Sequence, residues 1–532
     1  MSASEAVTVT IDGLPVRVPR TATVLQAAEQ AGVVVPRYCY HPAFTAPAVC
    51  RMCLVEVAGA PKLVPSCVHR VQDGMEVHTT SPAARKARRS VIEFLLYNHP
   101  LDCPICDAAG QCELQDYAFE TGQLRRRAVD PKRVLGRDKV TPEIVLFKDR
   151  CVLCTRCVRF MTEVAQEPVL QVVQRGNRAY IDTMTGDLFE HAFSMNIVDV
   201  CPVGALVNED YLFKARAWDL DRTPSVCPGC SQGCNITLDT KDEQVVRAKP
   251  RANPEVNAYW MCDHGRRLLA GWHPGERLEA PLVREGGGSD RLVSTDWPAA
   301  LERAAEGLRR GGGVKAIVSA ASANESLYAL RRALDAVGTP ADGVFRVPQG
   351  EEAELKGFPR LRLRKDRVSN ATGAELLGFR RADDVVAHVT GHAGAVVVLE
   401  DALWDAPEGF AAGAAFHLHV GSVGSPAARA ADVVLPVTTF AEMEGTFTNH
   451  EGRVQRFQPA LRPPGMARPA WLVLSLVAAR LGQGLGDLRT AADVFAALAA
   501  DGPPFAGLTY ETIAWRGALV HGRAEKAPAA AE

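Results

Sequence analysis

The sequence predicts a multi-domain α/β chain with two unlike halves, and three observations predict it. Its 532 residues exceed what a single core ordinarily holds. All fifteen cysteines stand at or before Cys262, and the 270 residues that follow contain none. From about residue 278 onward, β-branched runs alternate with stretches of helical apolar spacing, the pattern of an α/β layer. Five domains are expected, at 1–82, 83–122, 123–220, 221–277 and 278–532.

The composition is globular, with 47% hydrophobic residues, 23% charged residues and a net charge of −2. That balance argues against nucleic acid as the main partner. The clusters Arg85-Lys86-Ala87-Arg88-Arg89 and Arg125-Arg126-Arg127 read as solvated faces. The most apolar run, "AWLVLSLVAA" (470–479), stops at Arg480, short of the roughly 20 residues a membrane span needs. The opening "MSASEAVTVT" lacks a basic n-region, an apolar h-region and a twin arginine. A cytoplasmic chain is therefore expected. Thiols stay reduced there, so fifteen cysteines point to metal or redox chemistry rather than disulfides.

The first domain begins with alternating Val7, Val9 and Ile11. A turn at Asp12-Gly13 follows, then a return strand in "LPVRV". "TATVLQAAEQAG" predicts a helix capped by a threonine and stopped at Gly32. This is the β-grasp order of a plant-type ferredoxin. Cys39, Cys50, Cys53 and Cys67 then form C-x₁₀-C-x₂-C-x₁₃-C. A plant-type [2Fe–2S] centre uses C-x₄-C-x₂-C…C. The first gap here is ten, so the loop is enlarged.

The second group, "HPLDCPICDAAGQC" (99–112), holds only Cys103, Cys106 and Cys112. The third, "CVLCTRC", sets Cys151, Cys154 and Cys157 in the bacterial cubane signature. Cys201-Pro202 most economically closes that same cluster, since no second trio accompanies it. The fourth is Cys227, Cys230, Cys234 and Cys262. These groups use every cysteine. If the second site is four-coordinate, His99 must complete it. Zinc is the competing reading. Structural zinc sites pair C-x₂-C with another pair, whereas these are triplets with a distant single residue. His41 and His69 lie near the first group and read as ordinary residues.

The cysteine-free half contains strand candidates "VKAIVSA", "GAVVVLE" and "ADVVLPV", with "NESLYALRRALDAVG" as a helix stopped by glycine. "EGGGSD" (285–290) and "RRGGGVK" (309–315) read as loops near a boundary. Ser and Gly in "GSVGSPAARAADVVLPV" read as turn residues, and "RAEKAPAAAE" as a frayed tail. No G-x-G-x-x-G follows a strand, so no dinucleotide site of that kind is expected.

Four stretches carry a family resemblance: "RYCYHPAF…CRMCLVEV…PSCV", "NHPLDCPICDAAGQCELQD", "RCVLCTRCVRF…NIVDVCPVGAL" and "PSVCPGCSQGCNI…NPEVNAYWMCDHGR". Over residues 5 to 270 the chain resembles the large iron–sulfur subunit of bacterial NADH–quinone oxidoreductase (respiratory complex I). The resemblance implies His99 as the fourth ligand of the second site. It also implies one [2Fe–2S] and three [4Fe–4S] clusters, and an electron relay with no catalytic residue of its own. Expected partners are a flavin-bearing NADH-binding subunit, a small [2Fe–2S] subunit and membrane-proximal iron–sulfur subunits. The complex would sit on the cytoplasmic face of the membrane. In such proteins the Cys227 cluster lies off the main path.

Residues 431–457 resemble part of molybdopterin oxidoreductases. No cysteine follows Cys262 to bind a metal and the segment is short, so a degenerate domain without molybdenum cofactor is expected. The competing functional readings are the catalytic subunit of a formate dehydrogenase and a hydrogenase-type electron-transfer subunit. The first typically needs further cubane cysteines and a metal-binding cysteine or selenocysteine. An iron hydrogenase would need cysteines in the C-terminal half.

Overall fold

The computed structural model describes residues 6–122, 126–270, 272, 275–285, 291–338, 342–484, 486 and 488–523. The chain folds into two compact units. One is built from the chain up to Leu220 together with Leu355–Pro359, the other from Asp221–Glu354 and the chain from Arg360 on.

The first unit opens with the antiparallel hairpin Ala6–Ile11 and Leu14–Pro19. Asp12 (φ 48°) and Gly13 (φ 86°) make the left-handed two-residue turn that matches strand twist. Val7, Val9 and Ile11 alternate inward against Val24, Leu25, Ala27 and Ala28. Those last four lie on helix Val24–Gln30, where Thr23 and Gln26 form a capping box. Gly32 (φ 73°) follows its end. Glu76–His78 then returns parallel to the first strand, giving a five-stranded sheet.

Helix Pro82–Asn98 follows, with Ser81 accepting from Ala84 N and Pro82 in its first turn. It ends at His99, held extended (φ −60°, ψ 128°). Pro100 comes next, and the residue before a proline is disfavoured in helical geometry. The basic cluster on this helix is not wholly a solvated face. Arg85, Lys86 and Arg89 are exposed, but Arg88 is buried at 7% exposure. It lies about one helical turn from buried Ala84 and Ile92, so the i, i+4 rule puts it on the inner face. Of the second cluster, Arg125 lies outside the described residues. Arg127 is exposed, and Arg126 donates to Tyr97 O.

Helix Glu113–Thr121, stopped by Gly122 (φ 67°), leads to two small sheets. One orders Leu206–Asn208, Ile144–Phe147 and Arg137–Lys139, and the other pairs Leu170–Val173 with Tyr180–Thr183. Leu355–Pro359 belongs to this unit. Gly357 N donates to Val164 O at 2.7 Å, and Lys356 pairs with Glu167 at 3.0 Å.

The second unit begins with the meander Asp221–Val226, Asn235–Lys241 and Gln244–Pro250. An eight-stranded sheet follows. Six parallel strands run in the order Arg380–Arg381, Asp342–Phe345, Val314–Val318, Ala395–Leu399, Phe416–Gly421 and Val433–Pro436. Leu282–Arg284 and Leu292–Ser294 extend it antiparallel. Every residue of Ala395–Leu399 is buried, as a central parallel strand covered on both faces requires. Helices Trp297–Arg310, Asn324–Ala336, Ala470–Arg480 and Ala491–Asp501 contribute Trp297, Leu327, Trp471 and Phe495 to one core with these strands.

The segment 309–315 is less of a loop than its glycines suggest. Arg309 and Arg310 end a helix, Gly311 to Gly313 turn, and Val314 opens a strand. Residues 286–290 of "EGGGSD" and 524–532 of the tail lie outside the described residues. Among the described residues, no helix is long and apolar enough to cross a membrane.

Candidate metal centres

The first cysteine group converges. The Cys39 thiol is hydrogen-bonded to Cys50, and that of Cys67 to Cys53, with the two pairs close enough to act on each other's charge. Cys50 and Cys53, as acceptors, are held below the usual thiol range, and their partners are pushed above it. Backbone N–H groups, including that of Met52, are aimed at Cys50 Sγ. Ala48 (φ 54°) and Arg51 (φ 58°) are left-handed without being glycine. Such bends turn successive N–H groups inward and make an anion-binding concavity. His41 accepts from Ala43 N at 3.2 Å through Nδ1, and burial pushes its imidazole down to about 4. It behaves as an ordinary local cap.

The third group shows the same construction. Cys151, Cys154, Cys157 and Cys201 face one cavity, whose other walls include Leu146, Ile181, Val203, Ala205 and Leu206. Leu153 (φ 53°) and Thr155 (φ 60°) bend the loop, and Leu153 N lies 3.4 Å from Cys151 Sγ. The N–H groups of Val203, Leu206 and Ala205 are directed at Cys201. Burial raises every thiol here, Cys151 to about 12. A thiolate in such an apolar pocket needs a cation beside it.

Cys103, Cys106 and Cys112 also act on one another's charge, and burial raises Cys112 to about 11. His99 is partly buried. Desolvation, with Lys132 and Arg150 nearby, pushes its imidazole down to about 4, so it is neutral at pH 7 and able to ligate. Arg150 acts on both His99 and Cys106 and donates to Asp102 at 2.9 Å.

The fourth group lies in the second unit. Cys227, Cys230, Cys234 and Cys262 are buried together, with Gly265 N at 3.4 Å from Cys262 Sγ and Cys227 raised to about 12 by burial. Gly265 packs tightly here, since a Cβ would stand 3.0 Å from Cys227 Sγ and the sulfur would have to give by a few tenths of an ångström.

Among the described residues, no three His, Cys, Asp or Glu side chains converge on the single point one bound ion would need. A cluster asks for a different arrangement, because its ligands are spread over several irons, two thiolates to each iron in a [2Fe–2S] centre and one to each in a cubane. The Cys151, Cys154, Cys157 and Cys201 sulfurs, facing one apolar space with peptide N–H groups aimed at Cys151 and Cys201, fit it, whereas Cys103 of the second group is exposed.

Sequence reasoning missed the arginines that surround these sites. Arg156 pairs with Glu113 at 3.2 Å and donates to Val200 O, and both residues directly flank cysteines. A cation set beside a cysteine within an otherwise apolar stretch is the signal that could have found them.

A cavity of about 580 Å³ lies elsewhere, at the C-terminal ends of the parallel strands. Ser319, Arg346, Glu400 and Asp401 line it where the strand order reverses. The turn after the first parallel strand, "SAASANES", contains no glycine to bring backbone against a pyrophosphate. Arg346 is already paired with Asp401 and Asp405.

Fold and sites together define an iron–sulfur protein in which ferredoxin-type domains precede a molybdopterin-oxidoreductase-type half. Family models match in that order. They are a 2Fe-2S iron-sulfur cluster binding domain at 4–82, the NADH-ubiquinone oxidoreductase-G iron-sulfur binding region at 88–127, and the ferredoxin-like domain of NADH-quinone oxidoreductase subunit 3 at 141–207. The molybdopterin oxidoreductase Fe4S4 domain matches 220–271 and molybdopterin oxidoreductase 409–480. The chain is a homologue of the large iron–sulfur subunit of bacterial NADH–quinone oxidoreductase and of its 75–78 kDa counterparts. It is 41% identical over 359 residues to that subunit of Streptomyces coelicolor, covering 66% of this chain and 42% of that one. It is 40% identical over 381 residues to the mitochondrial iron-sulfur protein 1 of Solanum tuberosum NADH dehydrogenase, covering 71% and 50%. The chain thus spans about half the length of the curated relatives it matches. A chain of an NAD+-reducing [NiFe]-hydrogenase matches 39% of this chain and 90% of its own at 30% identity, with a TM-score of 0.36.

Proposed function

We propose that this chain is the iron–sulfur relay subunit of an NADH–quinone oxidoreductase, passing single electrons from flavin-bearing NADH-oxidising subunits toward the quinone-reducing module. The observation that carries it is the resolution of fifteen cysteines into three sets of four and one set of three, each set drawn together in the fold. Cys39, Cys50, Cys53 and Cys67 hold a [2Fe–2S] cluster. His99, Cys103, Cys106 and Cys112 hold one cubane. Cys151, Cys154, Cys157 and Cys201 hold the second, and Cys227, Cys230, Cys234 and Cys262 the third. When bound, the clusters supply one-electron carriers.

The protein's own work is to hold thiolates, exclude water and set the local charge. Peptide N–H groups at Cys50, Cys151, Cys201 and Cys262 stabilise the thiolate form. Arg150 and Arg156 place positive charge beside the second and third sites. The C-terminal half has no cysteine to ligate molybdenum and acts as a degenerate packing domain. That also argues against a formate dehydrogenase. The partners are the flavin-bearing, small [2Fe–2S] and membrane-proximal iron–sulfur subunits, with the chain peripheral on the cytoplasmic face. The test is iron, sulfide and molybdenum per chain after anaerobic purification. Full loading gives about fourteen irons and no molybdenum. Stoichiometric molybdenum would overturn the relay and make the C-terminal half an active site.

A further inference from the structure

The enlarged first gap has a physical role. Its Phe44 and Thr45 lie in the ten-residue spacer between Cys39 and Cys50 and reach the Arg156–Arg159 helical turn that follows Cys154. Arg159 is 9% exposed, and its guanidinium bonds four oxygens. Nη2 donates to the carbonyl of Cys39 and, at 3.3 Å, to that of Cys154. Nη1 donates to Thr45 O at 2.9 Å and Nε to Thr155 Oγ1 at 3.4 Å. The guanidinium carbon sits 5.2 Å from the Phe44 ring centre, within cation–π range. One turn on, Glu163 accepts from Thr45 N at 2.8 Å, so Thr45 is held by both its backbone groups.

We propose that Arg159 is a positioning residue that ties the ligand loop of the [2Fe–2S] site to that of the Cys151–Cys201 cubane and sets one positive charge between them. None of its four bonded oxygens is a carboxylate, and the Glu163 carboxylate one turn on acts on the charge without bonding it, its weight falling below those of Cys154 and Cys39. A buried cation in such a place is costly unless negative charge lies close by. Thiolate ligands on either side supply it. Nε, Nη1 and Nη2 of the arginine reach different partners at once from one rigid plane, which the single nitrogen of a lysine cannot reproduce. A four-residue first gap, as in plant-type centres, would leave little chain to reach this helix. The proposal rests on the ligand sets given above.

The test is a redox titration followed by EPR on the full protein, with iron counted in the same samples. In the wild type, reducing the Cys151 cubane should speed relaxation of the [2Fe–2S] signal, since the two ligand loops share one guanidinium. No such effect would overturn the tie. Arg159→Gln should lower the midpoint potentials of these two clusters and leave the His99 and Cys227 clusters unmoved. A shift in one cluster only, in all four alike, or in none would overturn it. Arg159→Lys keeps the charge and should recover part of both shifts. It also serves if the glutamine variant fails to load, and a lysine variant indistinguishable from wild type in both potentials and relaxation would overturn the role of bonding through all three guanidinium nitrogens. Failure of the ligand reading looks different: the wild type itself would then lack the [2Fe–2S] signal or the expected iron.

Discussion

At the residue scale, one glycine shows how closely the cluster loops are fitted. A Cβ at Gly204 would lie 2.2 Å from Cys106 Sγ and 3.0 Å from the Ala108 Cβ. Contacts that short do not occur, so the thiol or the loop must move. Gly204 follows Cys201 by three residues, so the loop closing the second cubane also shapes the floor of the first. Gly204→Ala is expected to displace Cys106 and cost the His99-site cluster, about four irons per chain, while the [2Fe–2S] EPR signal persists. Full iron content in that variant would sink the close-approach argument. Spacing alone made the cysteines legible, because C-x₂-C triplets have few other uses. Gly204 carried no such signal, since a glycine after Cys-Pro-Val reads as an ordinary turn. Arg88 was misread because neighbouring charges masked its position on the inner face of the helix.

At the element scale, the buried strand Phe416–Gly421 carries two histidines on one face. His417 and His419 are 2% and 1% exposed, with ring centres 6.5 Å apart. Among the described residues, both nitrogens of His417 and Nδ1 of His419 are buried with no hydrogen-bond partner in good geometry, although the Ala430 backbone favours the charged form of His417. Burial holds His417 down to about 4 and His419 to about 3, with nearby Arg284 adding to the effect at His417. Their folded values lie below the unfolded one of about 6.5. As pH falls, the unfolded chain therefore binds protons first. Stability is intact above about pH 6.5 and drains away as pH drops toward 4. The loss is about 2 kcal/mol per histidine by pH 5. Thermal melts between pH 7 and 5 should show it, and a His417→Leu/His419→Leu chain should lose less. Equal acid sensitivity in the two proteins would refute the assignment. The strand itself was less legible than its neighbours. "AVVVL" announces a buried strand by its branched apolar run, whereas "FHLHVG" alternates and reads as half-exposed. What buries the histidine face lies over the sheet, with the Phe410 ring 5.4 Å from that of His417 and helix Pro426–Ala430 packed on the strand, and no local pattern reports that cover.

At the scale of the whole molecule, the cysteine boundary and the structural boundary differ. Cysteines stop at Cys262, but the compact units divide at Leu220/Asp221, so the fourth cluster site belongs to the unit with the large sheet. Leu355–Pro359 belongs to the first unit although the sheet domain surrounds it in sequence. A backbone bond from Gly357 to Val164 and an ion pair from Lys356 to Glu167 hold it there, and no local pattern points to partners so far away in the sequence. The units also differ in what holds them. Strands and helices from Trp297 to Val520 share one apolar core that contains no cysteine. Between Asn98 and Glu113, by contrast, the chain has one short helical turn, Cys103–Ile105, and otherwise only a non-helical turn at 107–110, with Leu101 and Ile105 exposed at 86% and 58%. Too few apolar groups are buried there to fix the segment, and stretches this short ordinarily depend on metal for their fold. Removing iron with a chelator under reducing conditions should therefore act unevenly. Hydrogen exchange followed by mass spectrometry is expected to show protection collapsing across 99–122 and weakening around 151–157. The strands at 314–318, 395–399 and 433–436 should keep their protection, because their hydrogen bonds lie inside a core that owes nothing to thiolates. Collapse of those strands together with the cluster loops would mean that the two units fold as one and that iron stabilises the whole chain.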